Sequence, residues 1–212
     1  MRICIIGSSG NMGKRYCSIL KYLGHEVIEH DLDTGTNLGA ALKHVNKAII
    51  ATPTGTHENF FGALIDRRIP FLCEKPMSTN IGKLEWLNKQ AIENDIEVKM
   101  VCNWKFIRGG MNIGSHKVRY NHFRTGNDGL EWDCIQLIML AKETGKRNYD
   151  ISLRTTSPVF DVQIDDKQVT LDDIDNSYLF MLDKYCSEPD ELWGTKQAIE
   201  GATRVNYMLR AK

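Results

Sequence analysis

The run "RICIIGSSGNMGKRYCSILKYLG" (residues 2–24) decides the architecture. Its first part, "RICIIG" (2–7), is an apolar stretch of strand type, and "NMGKRYCSILKYLG" (11–24) carries helical periodicity up to a closing glycine. Between them stands Gly7-Ser8-Ser9-Gly10-Asn11-Met12-Gly13. Glycines placed there permit a tight turn, let backbone N–H groups approach a pyrophosphate and allow close helix–strand packing. The start of the following helix then presents its positive dipole end to the phosphates. The spacing is G-x-x-G-x-x-G, one residue longer than the usual dinucleotide fingerprint, so the motif counts through its position between strand and helix. The cofactor contacts expected from it are Gly7, Ser9, Gly10, Asn11, Met12 and Gly13.

Outward from this turn, strand-like and helix-like runs alternate. "HEVIEHD" (25–31) is a second strand, followed by a short helix candidate around 36–44. "KAIIATP" (47–53) is a third strand stopped by Pro53, and "HENFFGALIDRR" (57–68) is helical. "IPFLCEKP" (69–76), "IGKLEWLNKQAIEND" (81–95) and "IEVKMVCNW" (96–104) complete the series as strand, amphipathic helix and strand. Near-continuous apolar strands separated by helices predict an α/β domain, a Rossmann-type doubly wound parallel sheet covered on both faces. The second strand ends at Asp31, eighteen residues beyond Gly13. A carboxylate there accepts hydrogen bonds from both adenine-ribose hydroxyls and repels a 2′-phosphate, so NAD is expected in preference to NADP.

From residue 107 the texture changes. "SHKVRYNHF" (115–123) is strand-like, "EWDCIQLIMLAKETG" (131–145) is helical, and "YDISLRTT" and "VFDVQI" alternate apolar and polar residues as half-buried antiparallel strands do. The "DDK" at 165–167 suits a turn before "QVTL", and two helix candidates, "DDIDNSYLFMLDKYC" and "GTKQAIEGATRVNYMLR", follow. The expected organisation is a nucleotide-binding domain over 1–106 and a small α+β domain with a mostly antiparallel sheet over 107–212.

Composition narrows the function classes. The 212 residues carry 27 Lys and Arg against 27 Asp and Glu, with a pI near 7.0. Neutrality provides no broad electrostatic footprint for nucleic acid or an anionic membrane, and neither partner is expected. The longest apolar runs are far too short to span a bilayer, and the first residues lead directly into a strand rather than a signal-peptide core. Six cysteines at 4, 17, 73, 102, 134 and 186 are scattered with no CxxC spacing. They suit small apolar fillers in a reducing compartment, with no metal site expected, and the cytoplasm is the default location.

"AIIATPTGTHENFFGALIDRRIPFLCEKPMSTN" (48–80) then supplies a resemblance to a family. It is similar to the glucose–fructose oxidoreductase / inositol dehydrogenase / rhizopine-catabolism family of NAD(P)-dependent oxidoreductases. Members carry a strand ending in Thr-Pro, a His at the start of the next helix, and a strand ending in Glu-Lys-Pro. Here these are Thr52-Pro53, His57 and Glu74-Lys75-Pro76. "VKMVCNWKF" resembles the family's Asn-aromatic-Arg-Phe strand end, with Lys105 in place of Arg, and the likeness runs over residues 1–106.

The resemblance implies that Lys75 faces the nicotinamide and the substrate's reacting oxygen, beside a Lys75-Pro76 bond that is often cis. Glu74 would contact the nicotinamide ribose, and Thr52, Pro53, His57, Pro76 and Asn103 would complete the cofactor site. A Lys at that oxygen can stabilise developing charge and pass the proton that accompanies hydride transfer. The implied substrate is a small molecule, a sugar, polyol or nucleotide-linked sugar. The implied assembly is a homodimer or higher homo-oligomer built on the second domain's sheet, which is shorter here than the family's usual one.

One position departs from the family. Counting from Gly129, Asp133 falls on the family's Asp and Leu137 on its acid–base His. Asp133 has the polar face of an amphipathic helix as its alternative reading. Gln136 is adjacent but exchanges no proton at neutral pH, and His122 is a geometric substitute with a packing role as its alternative. Three functions therefore stand side by side. They are an oxidoreductase acting on CH–OH groups through Lys75, a dinucleotide-binding protein without turnover, and a reductase of carbonyl or C=C bonds that needs no His.

Overall fold

The computed structural model describes residues 1–35, 37–107, 116–121, 132, 135–136, 139, 149–154, 161–164 and 167–210. Two compact units divide the chain: Met1–Val101 with Leu182–Ile199, and Cys102–Met181 with Glu200–Lys212. The return of residues 182–199 to the first unit is absent from a simple cut near residue 106.

In the first unit, strands β1 (Arg2–Ile6), β2 (Glu26–His30), β3 (Lys47–Ile50), β4 (Phe71–Cys73) and β5 (Val98–Met100) form a parallel sheet. Their order is β5-β4-β3-β1-β2, the reversal between β3 and β2 falling beside β1. Registers such as Ile3↔Val27 and Ile5↔Ile49 set the central strand between two parallel neighbours. The apolar runs are continuous because both faces of the sheet are covered: Ile3, Ile5, Ile49, Ile50, Phe71 and Leu72 are all fully buried. Only β2, at the edge, keeps an exposed-and-intermediate pattern.

Helices supply the cover through helical spacing. α1 (Asn11–Tyr22) buries Gly13, Tyr16, Cys17 and Leu20, which stand at i, i+3, i+4 and i+7. After a single turn, α2 (Leu38–Ala41), α3 (Glu58–Asp66) buries Phe61, Leu64 and Ile65, and α4 (Ile81–Glu93) buries Leu84, Leu87 and Ala91. Asn37 and Asn80 cap α2 and α4, their Oδ1 atoms accepting N–H of Ala40 at 2.9 Å and of Lys83 at 3.2 Å. The helix predicted over 36–44 is thus shorter than expected, with a 3₁₀ turn at Leu32–Thr34 taking up part of the connection.

Two features of this unit escape local pattern reading. β10 (Trp193–Gly194) pairs antiparallel with β5, extending the sheet to six strands. The end of α5 (Leu171–Ser187) brings fully buried Tyr185 to the amino edge of the sheet. Its hydroxyl donates to Ala48 O at 3.0 Å, while Lys47 Nζ donates to Tyr185 O at 2.7 Å and lies 4.5 Å from its ring centroid.

The second unit holds a four-stranded sheet in the order β7-β6-β8-β9, made of β6 (His116–Asn121), β7 (Tyr149–Arg154), β8 (Asp161–Ile164) and β9 (Lys167–Gln168). β6–β8 and β8–β9 are antiparallel as predicted, but β7 runs parallel to β6 and does not pair with β8. Trp132, Ile135, Gln136 and Met139 are helical, and α6 (Thr195–Arg210) closes the chain. Asn103–Phe106 forms a 3₁₀ turn where a strand end was expected. No helix among the described residues is long and apolar enough to cross a membrane.

Burial sets a pH dependence. It pushes the Cys4 thiol from its ordinary 9.0 up to about 12 and Cys17 to about 11, and holds Cys73 and Tyr185 well above their usual ranges. Above pH 9 the unfolded chain loses these protons while the folded chain keeps them, so stability is fully present below that pH and falls as pH rises. The urea midpoint is expected to drop between about pH 8 and about pH 10.5, less steeply in Cys4→Ala. An unchanged midpoint would contradict this.

Candidate functional site

The carboxyl ends of four parallel strands converge around the glycine loop. Gly7 leaves β1 with φ +93°, and a Cβ there would stand 2.8 Å from Ala51 C and Thr52 N at the end of β3. A Cβ on Gly13 would stand 2.0 Å from Gly7 O. These two glycines are demanded by the backbone's own packing. Gly10 differs: it caps α1 in an ordinary extended conformation, and its Cβ would meet nothing closer than 3.5 Å. The first in-helix amide bond runs from Lys14 N–H to Gly10 O at 2.9 Å, which leaves the amides of Asn11, Met12 and Gly13 without preceding helical carbonyls. Gly10, Asn11 and Met12 lie at or near the surface.

Asp31 sits directly beside this loop. Its Oδ2 accepts the Ser9 N–H at 2.8 Å, and its Oδ1 accepts the Leu32 N–H at 2.7 Å. Ser9 thereby has an observed role, fixing the carboxylate at the turn.

From β3, Thr52 and Pro53 enter the 3₁₀ turn Thr54–Thr56, and Thr52 Oγ1 is a buried atom with no hydrogen-bond partner in the structure. His57 is fully buried; it caps α3 with its backbone, but its side chain makes no cap bond. Its Nε2 lies 2.8 Å from Thr52 O, and its Nδ1 lies 3.1 Å from Pro76 O and 3.3 Å from Met77 O. The imidazole is therefore a brace between the β3 and β4 exits, set beneath the surface.

Glu74-Lys75-Pro76 leaves β4 with a cis Lys75–Pro76 bond, as the family likeness implied. Glu74 is 8% exposed. Its Oε1 accepts the Tyr16 hydroxyl of α1 in a short hydrogen bond, and its Oε2 accepts the Lys75 N–H at 2.9 Å. Burial, with the Glu74 charge as the lesser cause, holds the neighbouring Cys73 thiol up. Lys75 itself is partly exposed. A second short bond, from Ser78 Oγ to Glu58 Oε1, fixes the segment after Pro76 to the first turn of α3. Tyr16 and Ser78 were not singled out from the sequence; Tyr16's core-facing helical spacing was visible, but its partner was not.

The second unit holds Asn103. It is buried, its Nδ2 donates to Ser177 Oγ at 3.0 Å, and its Oδ1 accepts Gln136 Nε2 at 3.0 Å. Gln136 Oε1 accepts the Trp104 N–H at 3.2 Å, and Ser177 Oγ donates to Ile174 O at 2.6 Å. Gln136 is thus committed to holding the Asn103–Phe106 turn. Asp133, Leu137 and His122 lie outside the described residues. Among the described residues, no group of three or more His, Cys, Asp or Glu side chains is gathered to hold a metal ion.

Residues 27–100 match the family described as "Oxidoreductase family, NAD-binding Rossmann fold". Over that stretch the resemblance carried by Thr52-Pro53, His57 and Glu74-Lys75-Pro76 is borne out. An inositol 2-dehydrogenase from Mycolicibacterium gilvum (strain PYR-GCK) is 42% identical over 48 residues, 22% of this chain and 14% of that protein's length. Among solved structures, a dehydrogenase (MviM) from Clostridium difficile aligns with TM-score 0.81 at 11% identity, over 100% of this chain and 99% of its own. A WlbA (WbpB) dehydrogenase from Thermus thermophilus, solved with NAD and UDP-GlcNAcA, aligns with TM-score 0.73 at 14% identity, over 99% and 94%. At such identities the likeness establishes the fold.

The glycine geometry separates folding from binding. Gly13→Ala should cost roughly 1–3 kcal/mol by forcing backbone apart. Gly10→Ala should cost under about 1 kcal/mol, since nothing crowds it. Chemical denaturation checks both; equal losses would contradict the geometry.

Proposed function

We propose that this chain, whose residues 27–100 carry the NAD-binding Rossmann fold of an oxidoreductase family, is an NAD-dependent oxidoreductase acting on a CH–OH group of a sugar, polyol or nucleotide-linked sugar. The observation that carries the reading is the Ser9–Asp31 bond, which fixes a carboxylate beside the glycine loop. The residues present fit the cofactor. Thr52 Oγ1 is an orphaned polar atom beside Gly7, the first-turn amides of α1 have no preceding helical carbonyls, and Asp31 suits ribose hydroxyls while repelling a 2′-phosphate.

NAD supplies the hydride acceptor, or donor in the reverse direction, when bound. The amides of α1's first turn bind the pyrophosphate, and Asp31 orients the adenine ribose. Glu74 and His57 hold the segment carrying Lys75, whose side-chain nitrogen would hydrogen-bond the reacting oxygen, taking the hydroxyl proton as the free amine in the oxidation and giving one as the ammonium in the reverse reduction. Asp133, at the family's Asp position, is part of this reading as a second catalytic residue. Assembly as a homodimer or higher homo-oligomer, and a cytoplasmic location, belong to the same reading, supported by the family likeness alone.

A binding protein without turnover is the second reading. Leu137 stands at the family's His position, and Gln136 beside it is consumed by Asn103 and the Trp104 amide, so it supplies no replacement.

Thermal-shift titration tests the cofactor. At a hundred times its dissociation constant, NAD⁺ or NADH should stabilise by about 2.7 kcal/mol, NADP⁺ and NADPH should do less, and Asp31→Ala should erase the preference. No shift with any nicotinamide would remove the reading. Turnover on a sugar and polyol panel should fall ~10²-fold or more in Lys75→Ala. Cofactor binding without turnover on any substrate would favour the second reading.

A further inference from the structure

A cleft of about 560 Å³ lies between α3 and α4, within the first unit, and none of the residues assigned above to cofactor or catalysis lines it. Small-molecule sites are of this size, ~300–1,000 Å³. Glu58 and Asn59 stand four and three residues before Gly62 on α3, so the three share one helix face and form one wall. Gly82 and Lys83 stand four and three residues before Trp86 on α4 and form the other. Neither glycine is demanded by backbone or packing. Both lie outside the positive-φ region, a Cβ on Gly62 would meet nothing within 4 Å, and one on Gly82 would meet only Asn80 Oδ1, at 3.4 Å. Inside a helix Gly is less stable than Ala, so Gly62 weakens α3 while it keeps the cleft open. Trp86 is 43% exposed. Helical side chains lean toward the N-terminus, so its indole covers the turn that Gly82 leaves bare.

Much of the cleft's polar equipment is uncommitted. Among the described residues, none hydrogen-bonds or pairs with the side chains of Asn59 and Lys83. Glu58 gives Oε1 to Ser78 Oγ, and no described donor meets its Oε2. Asn80 gives Oδ1 to the Lys83 amide and keeps its own side-chain amide. Glu58 and Lys83 balance in charge, so the lining suits a neutral ligand. An indole face flanked by a carboxylate, two carboxamides and an ammonium matches a ring that is apolar on its faces and hydroxylated at its rim. We propose that this cleft is a second binding site, for a neutral hexopyranose unit with equatorial hydroxyls. The sugar's axial C–H face lies on Trp86, and its hydroxyls donate to Glu58 and accept from Lys83 and the asparagine amides. The site is independent of the cofactor and of Lys75, and goes beyond the proposed function.

The test is a titration of methyl β-D-glucopyranoside into the isotope-labelled chain, followed by NMR on the indole N–H resonances. The chain has four tryptophans, and Trp86→Phe identifies the Trp86 signal by its loss. That signal should shift and saturate in the millimolar range. Gly62→Leu, which fills the cleft, should weaken the binding ~10-fold or more, while the other indole signals report that the variant is folded. Sorbitol, with hydroxyls but no ring face, should give no saturating shift. Gly62→Ala should raise the thermal midpoint by roughly 1–3 °C, because its methyl enters open space. No saturable Trp86 shift, an unchanged titration in Gly62→Leu, an equal response to sorbitol, or a lowered midpoint in Gly62→Ala would each overturn the proposal. A Trp86 signal that moves with protein concentration alone would overturn it too, by putting a second copy of the chain on this face. Lys75→Ala should leave the Trp86 titration unchanged; a titration lost there would place the sugar at the strand ends and end the proposal.

Discussion

A side chain at Gly13 has nowhere to go: its Cβ would overlap the carbonyl of Gly7, 2.0 Å away. Strand β1 and helix α1 therefore meet at backbone contact, and the rest of the carboxyl edge is arranged around that contact. The β3 exit closes on Gly7 within a distance that excludes a methyl, and the β2 exit is tied in by the Ser9 amide on Asp31. Because α1 lies so close to the sheet, Tyr16 on its inner face can reach across to Glu74 at the β4 exit. One steric constraint thus brings four strand ends into one cluster.

The polar side chains in that cluster are satisfied largely by backbone. Asp31 accepts two amides, Glu74 accepts an amide and a hydroxyl, and His57 faces three carbonyl oxygens. Side chains used in this way convert loops into fixed geometry, which is what a hydride-transfer site requires of its supporting shell. The Asn103–Gln136–Ser177 network does the same for the 3₁₀ turn of the second unit. Each amide and hydroxyl in it has a partner, the condition under which a buried polar network rigidifies a fold instead of weakening it. It also redefines Gln136, which stands next to the family's His position but serves the turn.

Much of this was legible in the chain itself. Continuous apolar runs such as "RICIIG" and "KAIIATP" marked strands buried on both faces, and i, i+3, i+4 spacing marked the helices, because both patterns record which faces are covered. The glycine loop and Asp31 were legible for a related reason: a close turn and a strand-end carboxylate are local requirements, readable at fixed offsets. The Glu-Lys-Pro strand end was recognisable through family likeness. What tertiary structure alone decided are the pairings between distant residues. β10 is two residues long and has no periodicity to read; it exists because the β5 edge offers unpaired backbone groups. The parallel placement of β7 beside β6, the inward turn of His57, the turn at Asn103 and the grip of Tyr16 on Glu74 share that character. Periodicity states that a side chain is buried; which atom it meets is settled only when elements far apart in the chain are stacked.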